Sequence, residues 1–245
     1  MKTSILHTND FHGKLDLATV ERLLALRESC EFYFDCGDAV KIGNIGIPVS
    51  PDPVWGHFRS LDCTASVPGN REFHVSESGF RAKLRGLEHP MVCANLNWKG
   101  VPRKSLYGDQ ETPFPKTLIV RDAGIFGLMV PMVTEKMAAR HISAFLNSSP
   151  FEAADEAVAQ LRDQCKLVIC LSHLGLKADR ELAIKVKGID VILGGHSHNT
   201  IEVPEKIGNT WVCQTGSYAR FAGVYEMENK NGQWGIESAR LEPIR

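Results

Sequence analysis

Ile189-Asp190-Val191-Ile192-Leu193-Gly194-Gly195-His196-Ser197-His198-Asn199 is the stretch on which the reading of the whole chain turns. Its apolar run, Val191 to Leu193, reads as a buried strand. Two glycines follow, so the backbone there can turn tightly or approach a neighbour closely. Then come two histidines separated by one residue. In an extended segment side chains at i and i+2 point the same way, so His196 and His198 can converge on one small volume at a strand end. Neutral imidazole is a metal ligand, and two rings aimed together suggest a metal site. Two surface histidines in a turn would spell the same letters, so the rest of the chain has to decide.

Composition narrows the field. With 245 residues, 43% of them hydrophobic, the chain can bury a sizeable core and is expected to be globular. The formal net charge is −1 with no long run of one sign. A basic patch of the kind that coats nucleic acid is missing, so stable nucleic-acid binding is not expected. A phosphorylated substrate remains open, because bound cations would supply local positive charge. No stretch of about eighteen apolar residues suggests a membrane span, and the N-terminal apolar stretch is too short for a signal-peptide core. The seven cysteines include no C-x-x-C pair, and buried, reduced thiols in a cytoplasmic protein are the simplest account. The sequence does not set the oligomeric state.

Outward from the opening stretch, strands and helices alternate. Lys2–His7, Glu31–Cys36, Cys63–Val67, Met91–Leu96 and Leu167–Leu171 read as strands, and Lys116–Arg121 with Ile125–Val130 as a hairpin. Leu17–Leu26, Val54–Leu61, Phe151–Cys165 and Ala178–Val186 carry helical spacing, with Asp52 and Pro53 placed to start the second. Thr210–Thr215, Gly223–Glu228 and Trp234–Leu241 read as antiparallel strands, the last two joined at Asn229-Lys230-Asn231-Gly232. Ala39–Pro53 and Trp98–Pro115 read as surface loops. The pattern implies an α/β fold with mixed sheets, and no repeat or linker divides residues 1–245, so a single domain is expected.

Polar clusters close five of these strands: Asp10-Phe11-His12, Gly37-Asp38, Gly69-Asn70, Ser172-His173 and Gly195-His196-Ser197-His198. Ligands of α/β sheets bind beyond the carboxyl ends of strands, so all five would share one edge. Each alone has a local explanation as a cap or a turn residue; their coincidence does not. Asp10, His12, Asp38, Asn70, His173, His196 and His198 form an oxygen and nitrogen donor set without thiolate. Such a set suits Mn²⁺, Fe²⁺, Zn²⁺ or Ni²⁺. It exceeds one tetrahedral ion and matches two ions sharing a carboxylate, the usual device for displacement at phosphorus.

The pattern D-x-H, G-D, G-N-x-E, H, G-H-x-H resembles the calcineurin-like metallophosphoesterases. "ILHTNDFHGKL", "LSHLGLKADRELA" and "IDVILGGHSHN" are similar to the N-terminal catalytic domain of the 5′-nucleotidase branch, and the resemblance runs from Leu6 to Leu241. It implies a four-layer αββα sandwich of two mixed sheets flanked by helices. It also implies two divalent metal ions, with Mn²⁺ the first expectation and Fe, Zn or Ni the alternatives. Asp10, His12, Asp38 and His198 would hold one ion; Asp38, Asn70, His173 and His196 the other, with Asp38 bridging. A metal-bridging hydroxide would attack the phosphorus of a small phosphorylated substrate, nucleotides included.

Two departures stand out. The branch usually has G-N-H-E followed shortly by an aspartate; this chain has Gly69-Asn70-Arg71-Glu72-Phe73-His74. Arginine stays protonated and cannot act as a general acid, but it can grip a phosphoryl oxygen. His74 could supply the proton instead. Arg71, His74 and Asn70 are therefore the expected catalytic residues, with a salt bridge from Arg71 to Glu72 or another carboxylate as the structural alternative. The second departure is that nucleotidases of this branch carry a C-terminal base-binding domain, and the chain ends at Arg245. Selectivity would then fall to the two loops, with Trp55, Trp98 and Tyr107 as contacts, unless these aromatics simply pack the loops down. A non-catalytic metal-binding scaffold is the competing function; the complete donor set favours the phosphatase or phosphodiesterase.

Overall fold

β1 (Lys2–Thr8) sends Ile5 to one side and Leu6 to the other, and this alternation builds the layers. The computed structural model describes residues 1–100, 103–106 and 112–245. In chain order β1 is followed by α1 (Leu17–Arg27), β2 (Phe32–Asp35), α2 (Pro53–Ser60), β3 (Ala65–Ser66), α3 (Glu77–Lys83) and β4 (Leu96–Trp98). Next come β5 (Thr117–Val120), β6 (Ala123–Met129), β7 (Phe145–Asn147), α4 (Pro150–Arg162), β8 (Leu167–His173) and α5 (Leu176–Lys185). The chain finishes with β9 (Val191–Gly194), β10 (Glu205–Ile207), β11 (Thr210–Gln214), β12 (Phe221–Lys230) and β13 (Gln233–Pro243).

Two mixed sheets result. One has the order β13-β12-β1-β2-β3, the other β10-β11-β9-β8-β6-β5, and β4 pairs with β7 apart from both. Ile5, Phe34 and Tyr225 from the first sheet meet Ile125, Ile169, Val191 and Leu193 from the second in one shared core. The alternate residues face outward. Leu6 and Tyr33 pack on Leu23 of α1 and Phe58 of α2, while Val168, Cys170 and Ile192 pack on Leu161 of α4 and Leu182 of α5. Helix, sheet, sheet, helix is the expected four-layer sandwich. All seven cysteines are free and buried. Among the described residues no helix is long and apolar enough to cross a membrane.

Local chemistry accounts for several boundaries. Asp52 Oδ1 accepts from Val54 N at 3.1 Å, and Pro53 opens α2 as expected. Asn231 and Gly232 take φ of 55° and 85°, the twist a two-residue hairpin between β12 and β13 requires.

Other expectations need correction. Met91–Leu96 is a strand only at its ends: Met91 makes a single parallel bridge to Ser66 of β3 and Leu96 opens β4, while between them Val92 N bonds Ser66 O at 2.9 Å and Ala94 N bonds Gly127 O at 2.7 Å, so the segment threads between the two sheets. Val92 O crosses so close to Gly127 that a Cβ there would lie 2.1 Å away. Thr210–Gln214 runs parallel to β9 in the second sheet and does not join the terminal hairpin. The loop that starts at Trp98 is not simply superficial, because Trp98, Ser105 and Phe114 are buried.

Candidate metal centre

The parallel strands of the two sheets end along a common edge, and there the chain turns sharply. Asp10, His12, Asp38, His196 and His198 all adopt positive φ, between 51° and 73°. Asp and His tolerate this region better than most residues, yet the conformation persists only where the surroundings over-determine it. They do. Asp10 N donates to Gly37 O at 2.9 Å and His12 N to Asp38 O at 2.8 Å, stitching the ends of β1 and β2 together. His196 N donates to Asp10 Oδ2 at 2.8 Å, fastening the end of β9 to the same point.

All seven expected donors meet. His12 Nε2 and His198 Nε2 approach to 2.9 Å, with Asp10 Oδ1 3.5 Å from the first and 3.2 Å from the second. Asp38 lies between two groups: Oδ2 is 3.9 Å from His12 Nδ1, and Oδ1 is 3.5 Å from His173 Nε2. Asn70 Oδ1 lies 3.3 Å from His173 Nε2 and 3.0 Å from His196 Nδ1. The ligand atoms of Asp10, His12 and His198 fall within 4.8 Å of one another, as do those of Asp10, Asp38 and His173.

The donor set fits divalent cations. Asp10 Oδ1 and His12 Nδ1 are buried without a hydrogen-bond partner, a costly arrangement unless something else occupies them. Two ring nitrogens pressed together beside a carboxylate are what a cation would separate and satisfy. Burial alone would raise the Asp10 carboxyl, but the His12 and His198 rings outweigh it and hold Asp10 below the usual carboxylate range. Asp38 is likewise lowered: burial opposes ionisation and the His173 ring prevails. For His173, burial disfavours the charged ring, yet Asp38 pushes it up to about 10. Burial and the His173 charge lower His196, whereas Asp10 raises His198.

Supporting contacts orient the donors. His173 Nδ1 donates to Cys36 O at 2.6 Å, which turns Nε2 toward Asp38 and Asn70. Asn9 Nδ2 donates to Asp10 Oδ2 at 2.7 Å and to Gly216 O at 2.7 Å. Asn70 Nδ2 donates to Asn44 Oδ1 at 3.0 Å, reaching into the Ala39–Pro53 loop. Lys83, buried on α3, donates to the carbonyls of Asn44 at 2.8 Å and Arg71 at 2.6 Å, tying that loop to the turn after β3.

Glu72 proves to be the pivot of that turn. Its Oε2 accepts from Asp38 N and Gly69 N, both at 2.8 Å; its Oε1 accepts from Ala39 N at 2.9 Å and Val40 N at 3.1 Å. Burial and the Asp38 charge push the carboxyl up, and four amide donors work in the opposite direction. The Arg71–Glu72 salt bridge considered from the sequence therefore does not form. Arg71 N instead donates to Asp38 Oδ1 at 2.7 Å, and its guanidinium Nη1 donates to Lys41 O at 3.0 Å. His74 Nδ1 accepts from Ser76 N at 3.0 Å, and the ring lies against Gly79 of α3. The structure does not bring His74 into contact with the donor set.

Of the three aromatics considered as loop contacts, the two among the described residues pack the chain down. Trp55 and Trp98 are 1% and 8% exposed and pack inward, and Tyr107 lies outside the described residues. The sequence reading missed Tyr218. It is 42% exposed, its ring centroid 5.0 Å from that of His12 and 5.6 Å from that of His198. The available signal was Thr215-Gly216-Ser217, one more polar turn at the end of a strand on the same edge.

Five strand ends that carry a mixed aspartate, asparagine and histidine set to one edge of a four-layer sandwich define a metallophosphoesterase-type centre. The chain belongs to the calcineurin-like phosphoesterase family, whose profile matches residues 3–200. It is 28% identical to the trifunctional nucleotide phosphoesterase protein YfkN of Bacillus subtilis, over 90% of this chain and 18% of that protein. It is 30% identical to the 5′-nucleotidase of Bos taurus, over 80% of this chain and 38% of the other. The chain thus spans less than half the length of these relatives. Among solved structures it superposes on a Haemophilus influenzae NAD nucleotidase with a TM-score of 0.78 at 20% identity, covering 99% of this chain and 50% of that one. A Thermus thermophilus 5′-nucleotidase precursor gives 0.75 at 21% identity, covering 99% and 54%. At these identities the superpositions establish the fold.

Proposed function

We propose that this chain is a dinuclear-metal phosphoester hydrolase acting on small phosphorylated substrates, nucleotides among them. The observation that carries the reading is the convergence of Asp10, His12 and His198, and of Asp10, Asp38 and His173, within 4.8 Å, around a buried carboxylate oxygen with no hydrogen-bond partner. Asp10, His12, Asp38 and His198 would hold one ion, and Asp38, Asn70, His173 and His196 the other. When bound, divalent ions, Mn²⁺ foremost, would ease the ionisation of water and neutralise charge on phosphoryl oxygens.

The chain's own groups do the rest. The Cys36 carbonyl holds the Nδ1 proton of His173, so that Nε2 is the ring atom a bound ion would take. Glu72 fixes the backbone of Asp38. Arg71 spends one N–H on Lys41 O, and the other donors of its planar guanidinium can take a phosphoryl oxygen. His74 Nδ1 accepts from Ser76 N, which leaves Nε2 as the ring nitrogen through which a protonated imidazole would hand its proton to a leaving group. Residues 1–245 would act as a single catalytic domain, and a cytoplasmic setting remains our expectation.

A panel of phosphate mono- and diesters, assayed with added Mn²⁺ against an Asp38→Asn control, tests the reading. Turnover that requires both metal and Asp38 supports it. No turnover of any ester by metal-loaded protein would favour the non-catalytic scaffold. The relative rates on mono- and diesters would name the substrate class.

A further inference from the structure

Tyr218 is held in a place that packing alone does not call for. It has φ of 60° and the next residue, Ala219, has φ of 57°. Consecutive residues with side chains in the left-handed region are uncommon, and such a turn survives only under external constraint. The constraint is visible. Tyr218 N donates to Asp10 O at 2.8 Å, Gly216 N to Asn199 O at 2.8 Å, and Thr215 Oγ1 to Asn9 Oδ1 at 2.6 Å. The turn after β11 is thus bolted to the two segments that carry Asp10 and His198.

What the turn presents is an exposed ring. One side of Tyr218 rests on His12, tilted by 39°, and on the edge of His198, at 74°. The residue is 42% exposed, and among the described residues nothing hydrogen-bonds its hydroxyl. Large aromatic side chains elsewhere around this edge, Phe11, Trp55 and Phe73, are 0%, 1% and 2% exposed and serve the core. A clamped, strained backbone that holds one flat apolar face in water beside two of the proposed ligands is a platform without an occupant.

We propose that Tyr218 is a specificity-determining residue that stacks on the planar base of a nucleoside phosphate whose phosphoryl group sits at the metal centre. The proposal rests on the hydrolase reading above for where the phosphate lies. It names the contact that selects the organic part of the substrate from within this chain. Stacking tolerates any base, because every base has a π face, so selection would favour base-bearing over base-free phosphates and discriminate little among bases.

The test uses the full chain loaded with Mn²⁺ and two probes that resist hydrolysis, the 5′-phosphonate analogue of AMP and the corresponding base-free ribose phosphonate. Calorimetric titration of wild type is expected to show the base-bearing probe binding about 5- to 100-fold more tightly, the range that one stacked base supplies. Tyr218→Ala should erase that preference, change the affinity of the ribose probe by less than about threefold and leave the manganese content unchanged; Tyr218→Phe should keep the preference. Equal affinities in wild type, failure of both probes to bind, or a preference that survives Tyr218→Ala would overturn the proposal. Equal weakening of both probes in Tyr218→Ala would overturn it too, by making Tyr218 a prop for His12 and His198. Hydrolysis of the panel of mono- and diesters by wild type is scored separately. Its absence alongside a Tyr218-dependent preference would refute the hydrolase and leave the stacking contact standing.

Discussion

Replacing Glu72 by glutamine tests whether the centre is built on this one carboxylate. Glu72 is 1% exposed and accepts four backbone N–H groups, two on each oxygen, at 2.8 to 3.1 Å. Glutamine keeps the size and shape but turns one oxygen into an NH₂ donor. Whichever way the amide rotates, two of the four N–H groups then face a donor. A buried amide left without an acceptor costs about 1–3 kcal/mol, so two cost roughly 2–6 kcal/mol. In a chain of 245 residues each kcal/mol lowers Tm by about 2–4 °C, so a fall of at least about 4 °C is expected. Asp38 N is among the four, so manganese affinity should also drop, by about 10- to 100-fold for a supporting contact of this kind. Urea unfolding of metal-free protein gives the stability change, and titration with Mn²⁺ gives the affinity. A Glu72→Gln variant within about 1 kcal/mol of wild type and with unchanged metal binding would refute the clamp.

Further expectations follow from the same geometry. Arg71→Ala should slow every ester by about 10²–10³, because a phosphoryl contact is indifferent to what leaves. His74→Ala should slow alkyl and nucleoside phosphates more than p-nitrophenyl phosphate, whose leaving group needs little protonation; kinetics across a leaving-group series decide both. Asp179 is fully buried, bonds Ser172 Oγ, and is pushed by burial from 3.8 up to about 7. Between those values the folded chain keeps a proton that the unfolded chain has released. Asp179 therefore contributes stability at low pH that is lost as pH rises through 7, up to about 4 kcal/mol for roughly three units. Asp179→Asn should remove that component from the pH dependence of urea unfolding, and an unaltered profile would contradict the assignment.

Much of the fold and the convergence of the seven expected donors could be read from the sequence, because both rest on local signals. Ile192 and Cys170 face α5 and α4 while their neighbours face the other sheet, and that period of two is written in the apolar runs. The donors sit one or two residues beyond those runs. What could not be read depends on distant chain. Thr210–Gln214 has the letters of any strand, and only its register with β9 assigns it to the second sheet. Val92 to Asn95 looks like a strand, but its amides are divided among Ser66, Pro115 and Gly127 instead of following one neighbouring strand. Glu72 looked like a partner for Arg71; its four amide donors come mostly from residues more than thirty positions away. Trp55 and Trp98 were plausible contacts by type and loop position, and burial removed them. Tyr218 was overlooked because the backbone conformation that exposes it is set by Asn9, Asp10 and Asn199.

The central claim is a two-ion centre that hydrolyses phosphoesters. It is tested most directly by returning Mn²⁺ in steps to chelator-stripped protein while bound metal and p-nitrophenyl phosphate turnover are read on the same samples. The proposal predicts saturation at two ions per chain, with activity rising as the second ion binds and both responses lost in Asp38→Asn. Saturation at one ion or none, or turnover that is complete before any metal is returned, would contradict it.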